Sequence, residues 1–115
     1  MADAPIMIVT GGSRGIGSAI ARLAGERGYD VAVNYTAAAD RAEEVAEDIH
    51  KAGQRAIAVK ADVSNPAEIE SLFAEVDSQL GTVDVLVNNA GISIEVPVAE
   101  HDPDVVRRII DTNLL

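Results

Sequence analysis

Three glycines stand close together where a short apolar run gives way to a helical pattern. Gly11, Gly15 and Gly17 have the spacing G-x-x-x-G-x-G within the segment TGGSRGIG, residues 10–17. The first glycine permits a tight turn, the second lets the backbone approach an anion, and the third lets a helix pack closely. Free amides and the helix dipole at this point favour negative charge. The loop predicts a pyrophosphate site, and the alternative is a glycine-rich turn without a ligand.

The elements around this loop alternate between short β-branched runs and longer segments of helical period. The predicted strands are Ile6–Val9, 31–33, 56–59 and 83–87. Such alternation is typical of βαβ units on a parallel sheet. Right-handed crossovers give a Rossmann-like, doubly wound α/β sheet of strand order 3-2-1-4. Its ligand crevice should lie at the carboxyl ends of strands 1 and 4, where the order reverses.

Three helices are predicted between the strands, each with an apolar stripe. The stripes are Ile16, Ile20, Leu23 and Ala24 in the first helix, Ala42, Val45, Ala46 and Ile49 in the second, and Ile69, Leu72, Phe73, Val76 and Leu80 in the third. Asn65 is placed to cap the third helix, with Pro66 at its first position and Glu68 for a capping box. A fourth helix is expected to begin near Asp102.

The composition narrows the classes of function. Residues 1–115 fit one domain, and 19 acidic against 9 basic residues give a net charge of −10, which predicts no nucleic-acid partner. No cysteine is present, and His50 and His101 show no ligand spacing, so no metal site is predicted. No basic leader and no run near the roughly 20 apolar residues of a membrane span are found. We therefore expect a cytoplasmic protein without membrane contact.

The motifs together resemble those of the short-chain dehydrogenase/reductase family, classical type. The glycine segment is followed by Asp62-Val63 after strand 3, by NNAG at residues 88–91 after strand 4, and by DTNL at residues 111–114. The resemblance extends over the whole chain and implies the N-terminal, NAD(P)-binding half of a Rossmann domain. The cofactor-binding residues that it implies, together with the loop, are Gly11, Ser13, Arg14, Gly15, Ile16, Gly17, Asn34, Tyr35, Thr36, Asp62, Val63, Asn89, Ala90 and Gly91.

Individual roles follow from the same resemblance. It places Asp62 at the adenine ring, although a turn residue before the helix cap is the alternative. Asn89, Ala90 and Gly91 are expected to line the ribose and nicotinamide, whereas Asn88 is expected to tie neighbouring strands together. Asn113 would be the catalytic asparagine of an Asn-Ser-Tyr-Lys tetrad, holding a water in a proton relay; a core asparagine with satisfied hydrogen bonds is the alternative.

The end of strand 2 bears on the choice of cofactor. An NAD-selective site offers a carboxylate there to the ribose 2′-hydroxyl, whereas Asn34, Tyr35 and Thr36 include no acid. The resemblance implies that Arg14 reaches a 2′-phosphate and that residues 34–36 hydrogen-bond it. NADP(H) is therefore the predicted cofactor, with NAD(H) as the alternative. Arg41 is either a second cation or a residue of the exposed helix face.

The family's Tyr-x-x-x-Lys motif is missing from this sequence, because neither Tyr29 nor Tyr35 has a lysine four residues later. We therefore expect a truncated or proteolysed product, inactive by itself, of a parent enzyme. The parent would transfer a hydride between NADP(H) and a small carbonyl or alcohol substrate, of 3-oxoacyl or sugar/polyol type, as a homo-oligomer. The alternatives are a dinucleotide-binding fragment without turnover and a structural βαβ domain that binds no nucleotide.

Overall fold

The computed structural model describes residues 4–89, which form a four-stranded sheet with three helices. In chain order the elements are β1 (Ile6–Val9), α1 (Gly15–Glu26), β2 (Asp30–Tyr35), α2 (Ala39–Lys51), β3 (Ala56–Lys60), α3 (Pro66–Gln79) and β4 (Val85–Val87). All strand pairs are parallel, in the order β3-β2-β1-β4. The predicted Rossmann-like α/β fold and strand order are confirmed. The predicted fourth helix lies outside the described residues.

The two faces of the sheet carry separate apolar layers, as alternation along the strands requires. Ile6, Ile8 and Ala32 pack with the side chains of α3 on one face. Met7, Val9, Val31 and Val33 pack with α1 and α2 on the other. Helices therefore cover both faces, and the strand ends between them remain available for a site.

β4 begins two residues later than the sequence predicted. The Asp84 carboxylate accepts a hydrogen bond from the Ile6 amide at 2.9 Å, and the Asp84 amide donates to the Ile6 carbonyl at 2.9 Å. These bonds hold the chain beside the start of β1 before strand pairing begins at Met7 and Val85. Val83 packs against the core without pairing. Its apolar character therefore reflects burial rather than strand structure.

The stripes predicted for α2 and α3 are confirmed, since Ala42, Val45, Ala46, Ile49, Ile69, Leu72, Phe73, Val76 and Leu80 are all buried. Asn65 caps α3 by accepting a hydrogen bond from the Ala67 amide at 3.0 Å. The capping box is wrong, however. Glu68 accepts from the Asp62 amide at 3.0 Å, because the Asn65 amide already donates to the Asp62 carbonyl. Glu68 thus ties the loop after β3 to the helix.

The stripe predicted for α1 is wrong at two of its four positions. Ile16 is 74% exposed and Leu23 is 48% exposed. The buried side of α1 consists of small residues, namely Gly17, Ser18, Ala21, Ala24 and Gly25. A Cβ on Gly25 would lie 3.0 Å from the Ile49 side chain of α2, so Ile49 packs directly against the backbone of α1 at this glycine.

The three described helices have 12 to 14 residues. Within residues 4–89, none is long and apolar enough to cross a bilayer. The same part of the chain contains no group of three or more His, Cys, Asp or Glu residues placed to hold a metal ion.

Candidate functional site

The glycine loop connects the carboxyl end of β1 to the first turn of α1, as predicted. Gly11 and Gly15 have φ angles of 61° and 55°, a region that side-chain-bearing residues rarely adopt. Apart from Gly15 itself, its two chain neighbours and the adjoining helix backbone, no atom lies within 4 Å of the position that a Cβ on Gly15 would occupy. The loop therefore turns tightly at Gly11 and presents an open backbone surface at Gly15.

Gly17 allows a very close approach between the start of α1, the glycine loop and the end of β4. A Cβ at this position would overlap the Gly11 carbonyl oxygen and the Asn89 side-chain nitrogen. The Asn89 side chain donates to that same carbonyl at 3.3 Å, so the first turn of α1, the loop and the end of β4 meet here. Glycine at position 17 is therefore a packing requirement of the site.

The amino terminus of α1 has no side-chain cap. Arg14 occupies the N-cap position without a side-chain hydrogen bond, and the first turn contains no acidic residue. The first amides of a helix have no partner within the helix, and its dipole places partial positive charge there. These N–H groups are thus open to an anionic ligand.

The buried side chain of Asn34 holds the glycine loop in place. Its side-chain oxygen accepts from the Gly11 amide at 3.2 Å, and its side-chain nitrogen donates to the Val59 and Ala61 carbonyls at 3.3 and 3.1 Å. The residue is 2% exposed. Because both side-chain N–H groups are already used, Asn34 holds the glycine loop to β3 and has no donor left for a ligand.

Thr10 links β1 to the end of β4, a role that the sequence analysis did not assign. Its hydroxyl lies 3.2 Å from the Val87 carbonyl and 3.3 Å from the Asn88 side-chain oxygen, and it accepts from the Asn89 amide at 2.9 Å. The contact with Asn88 agrees with the strand-tying role predicted for that residue. A hydroxyl directly before the first glycine was the available sequence signal.

A cleft of about 340 Å³ opens at these strand ends. Seven of the predicted cofactor-binding residues line it, namely Gly11, Arg14, Gly15, Asn34, Thr36, Val63 and Asn89. They come from the ends of all four strands and from the start of α1, so the structure brings together residues that lie up to 78 positions apart in sequence. This cleft at the strand ends is the candidate site for a dinucleotide.

The remaining predicted residues lie around this cleft or beyond the described chain. Ser13 lines a neighbouring cleft, Ile16 is exposed, and Tyr35 packs partly buried against the layer that α1 and α2 cover. Ala90, Gly91 and Asn113 lie outside the described residues. Their predicted roles, like the ligand contacts of every residue in the set, stay predictions.

Asp62 is exposed beside the cleft and belongs to the turn before α3. Its carboxylate accepts hydrogen bonds from the Ser64 hydroxyl at 2.6 Å and the Ser64 amide at 2.9 Å. These bonds hold the pKa of the Asp62 carboxyl below its ordinary value of 3.8. The group is therefore a charged acceptor at neutral pH, and it makes the turn contacts that the sequence left as the alternative.

The neighbouring cleft has a volume of about 290 Å³ and polar walls. Its lining residues are Ser13, Arg14, Gly15, Ser18, Arg22, Arg41 and Glu44. Arg22 forms an ion pair with Asp48 of α2, with 2.7 Å between Nε and Oδ2. The sequence alone does not predict this cleft, because α1 and α2 bring its arginines together only in the folded chain.

Comparison with known sequences gives a family match and curated relatives. The sequence model of the short chain dehydrogenase family matches residues 5–115. The 3-oxoacyl-[acyl-carrier-protein] reductase FabG of Staphylococcus epidermidis is 46% identical over 107 residues, which cover 93% of this chain and 44% of the relative. The chain thus spans less than half the length of this curated relative.

Solved structures also resemble the chain over most of its length and over less than half of their own. A blue fluorescent protein from a metagenomic library, in complex with NADPH, has a TM-score of 0.72 and 40% identity, and the match covers 95% of this chain and 45% of that one. The angucycline C-6 ketoreductase LanV with bound NADP has a TM-score of 0.68 and 41% identity, with the same two coverages.

Proposed function

Since the chain belongs to the short-chain dehydrogenase family, we propose that the whole protein transfers a hydride between NADP(H) and a carbonyl or alcohol substrate. In this proposal residues 4–89 supply most of the dinucleotide site. The observation that carries it is the cleft at the four strand ends, with an uncapped helix terminus and an open glycine backbone on one wall.

The residues present fit a dinucleotide on physical grounds. A pyrophosphate requires several converging N–H donors and close backbone approach, and the start of α1 beyond Gly15 offers both. The backbone of Val63 and the charged carboxylate of Asp62 would lie at the adenine. The nicotinamide group supplies or accepts the hydride, and the protein's part is to bind and orient it.

The preference for NADP(H) over NAD(H) rests on the end of β2. Asn34, Tyr35 and Thr36 offer no carboxylate to a ribose 2′-hydroxyl. The Asn34 side-chain donors are used within the fold, so Arg14 and Thr36 would contact a 2′-phosphate. Within residues 4–89 Arg14 forms no ion pair, which leaves its guanidinium available for the phosphate. NADP and NADPH in the two similar structures support this choice.

The substrate class is proposed from the relatives. The name of the Staphylococcus relative, a 3-oxoacyl-[acyl-carrier-protein] reductase, supports a 3-oxoacyl thioester over a sugar or polyol. Asn89, Ala90 and Gly91 would line the ribose and nicotinamide, and Asn113 would hold the water of the proton relay. A cytoplasmic homo-oligomer stays the prediction for the whole protein.

A second function is favoured by one observation in the sequence. These 115 residues contain no Tyr-x-x-x-Lys, the motif that supplies the general acid and its lysine in the resembled family. A chain without it could bind the dinucleotide but would lack the proton donor for the substrate oxygen. The second candidate is therefore a dinucleotide-binding chain without turnover.

Calorimetric titration of the chain with NADPH and NADH, followed by an NADPH-oxidation assay on a 3-oxoacyl thioester, tests both functions. We expect NADPH to bind about tenfold or more tightly than NADH, as a charge-assisted phosphate contact predicts. Turnover by the 115-residue chain would reject the second function. Binding of neither nucleotide would reject both.

A further inference from the structure

The two clefts beside the glycine loop are neighbours that share two lining residues. Arg14 and Gly15 line both the larger cleft and its neighbour. Thr36, at the end of β2, lines only the first, whereas Arg41 and Glu44 of α2 line only the second. A ligand group that contacts Arg14 in the first cleft therefore contacts a residue that also lines the second.

The second cleft concentrates positive charge in an acidic protein. Three of the nine basic residues line it, although the chain has a net charge of −10. Arg22 is neutralised by Asp48. Within the described part of the chain, neither Arg14 nor Arg41 forms an ion pair, and Glu44 is the acidic side chain of the lining.

We propose that Arg41 is a second specificity-determining residue for NADP(H), which binds the adenosine 2′-phosphate together with Arg14, and that Glu44 opposes this binding. The inference rests on the proposed dinucleotide function and deepens it. A phosphomonoester dianion suits two guanidinium groups, because each can donate two parallel N–H bonds. The carboxylate of Glu44 in the same lining repels the phosphate and lowers the affinity.

This assignment explains how a site without a Lys or Arg directly after β2 can select a 2′-phosphate. Residues 34–36 contain no cation, and the Asn34 donors are occupied. Within residues 4–89, the loop and α2 are the elements whose unpaired arginines the fold brings to one cleft, and we assign the selecting charge to them.

Calorimetric titration of the chain with adenosine 2′,5′-bisphosphate and with adenosine 5′-monophosphate tests the inference. Arg41→Gln should weaken binding of the bisphosphate about tenfold and change binding of the monophosphate less than about twofold. Glu44→Gln should tighten binding of the bisphosphate about threefold. The matched control is Arg27→Gln, since Arg27 is an exposed arginine next to the end of α1 and lines neither cleft.

Several results would overturn the inference. If Arg41→Gln behaves like Arg27→Gln while Arg14→Gln removes the preference for the bisphosphate, NADP(H) binding stands but Arg41 has no part in it. Equal losses for both ligands would mean that Arg41 supports the fold of the site. Inorganic phosphate that binds as tightly as the bisphosphate would indicate a general phosphate site. If neither nucleotide binds, the proposed function fails as well.

Discussion

Helices α1 and α3 follow strands of the same sheet but differ in the residues they bury and in how their amino termini are capped. α3 buries Ile69, Leu72, Phe73 and Val76 and is capped by Asn65. α1 buries glycine, serine and alanine, leaves Ile16 exposed, and starts at Arg14 without a side-chain cap. α3 is thus built for packing, whereas α1 keeps its amino terminus close to the strand ends and open to a ligand.

The site depends on two features that α1 lacks, namely large side chains on its inner face and a side-chain cap at its amino terminus. Large side chains on its inner face would hold the helix away from the loop, and a capping side chain would occupy the first amides. Small residues allow the contact between Gly17, Gly11 and Asn89. Stability is therefore expected to depend mostly on the α3 side and nucleotide binding mostly on the α1 side.

The largest expected effect is on stability at α3. Leu72→Ala removes a side chain that is 1% exposed and should lower the free energy of unfolding by about 2–5 kcal/mol. The matched change in α1, Leu23→Ala, affects a residue that is 48% exposed and should cost less than about 1 kcal/mol. Urea denaturation of both variants measures the contrast, and equal losses would contradict it.

A methyl group added on the buried side of α1 should weaken NADPH binding. In Gly17→Ala, the Cβ overlaps the Gly11 carbonyl oxygen and the Asn89 side chain, which should cost about 1–3 kcal/mol of stability. Displacement of the loop should also weaken NADPH binding by at least about tenfold. Ala19→Ser, at an exposed position of the same helix, is the control for calorimetry. Wild-type NADPH affinity in Gly17→Ala would show that the close contact at Gly17 is not needed for binding.

Substitutions at the two N-cap positions should change stability by smaller amounts. Asn65→Ala removes the bond to the Ala67 amide and should cost about 1 kcal/mol of stability. Arg14→Ala removes no capping bond and should change stability by less than about 0.5 kcal/mol, while it weakens NADPH binding. Thermal and urea unfolding without nucleotide check this pair of values. A larger stability loss at Arg14 than at Asn65 would reverse the comparison.

The smallest expected effect concerns the turn that leads into α3. The lowered pKa of Asp62 means that its ionised form is favoured by folding, so this contribution is present above pH 3.8 and is lost as the pH falls through the lowered value. Ser64→Ala removes the hydroxyl bond and should move the pKa back towards 3.8. An NMR titration of the Asp62 carboxyl measures the shift, and an unchanged pKa would reject the cause given.

The sequence predicts the structure correctly where nearby residues alone determine whether a side chain is buried or capping. The stripes of α2 and α3, the Asn65 cap and the order of the strands all follow from periodicity and short crossovers. It failed at Leu23 and Ile16 because small residues, not large ones, face the sheet in α1. It could not foresee that Glu68 reaches Asp62, or that Asn34 is committed to Gly11, Val59 and Ala61, since those partners are set by tertiary folding.

A titration of the ¹⁵N-labelled chain with NADPH, monitored by amide chemical shifts, shows whether the nucleotide binds at the open start of α1. We expect the largest shifts at the residues that line the cleft, namely Gly11, Arg14, Gly15, Thr36, Val63 and Asn89. The amides of the last turns of α3 should keep their positions. Shifts centred on α3, or no shifts at saturating NADPH, would contradict the claim that the open start of α1 binds the nucleotide.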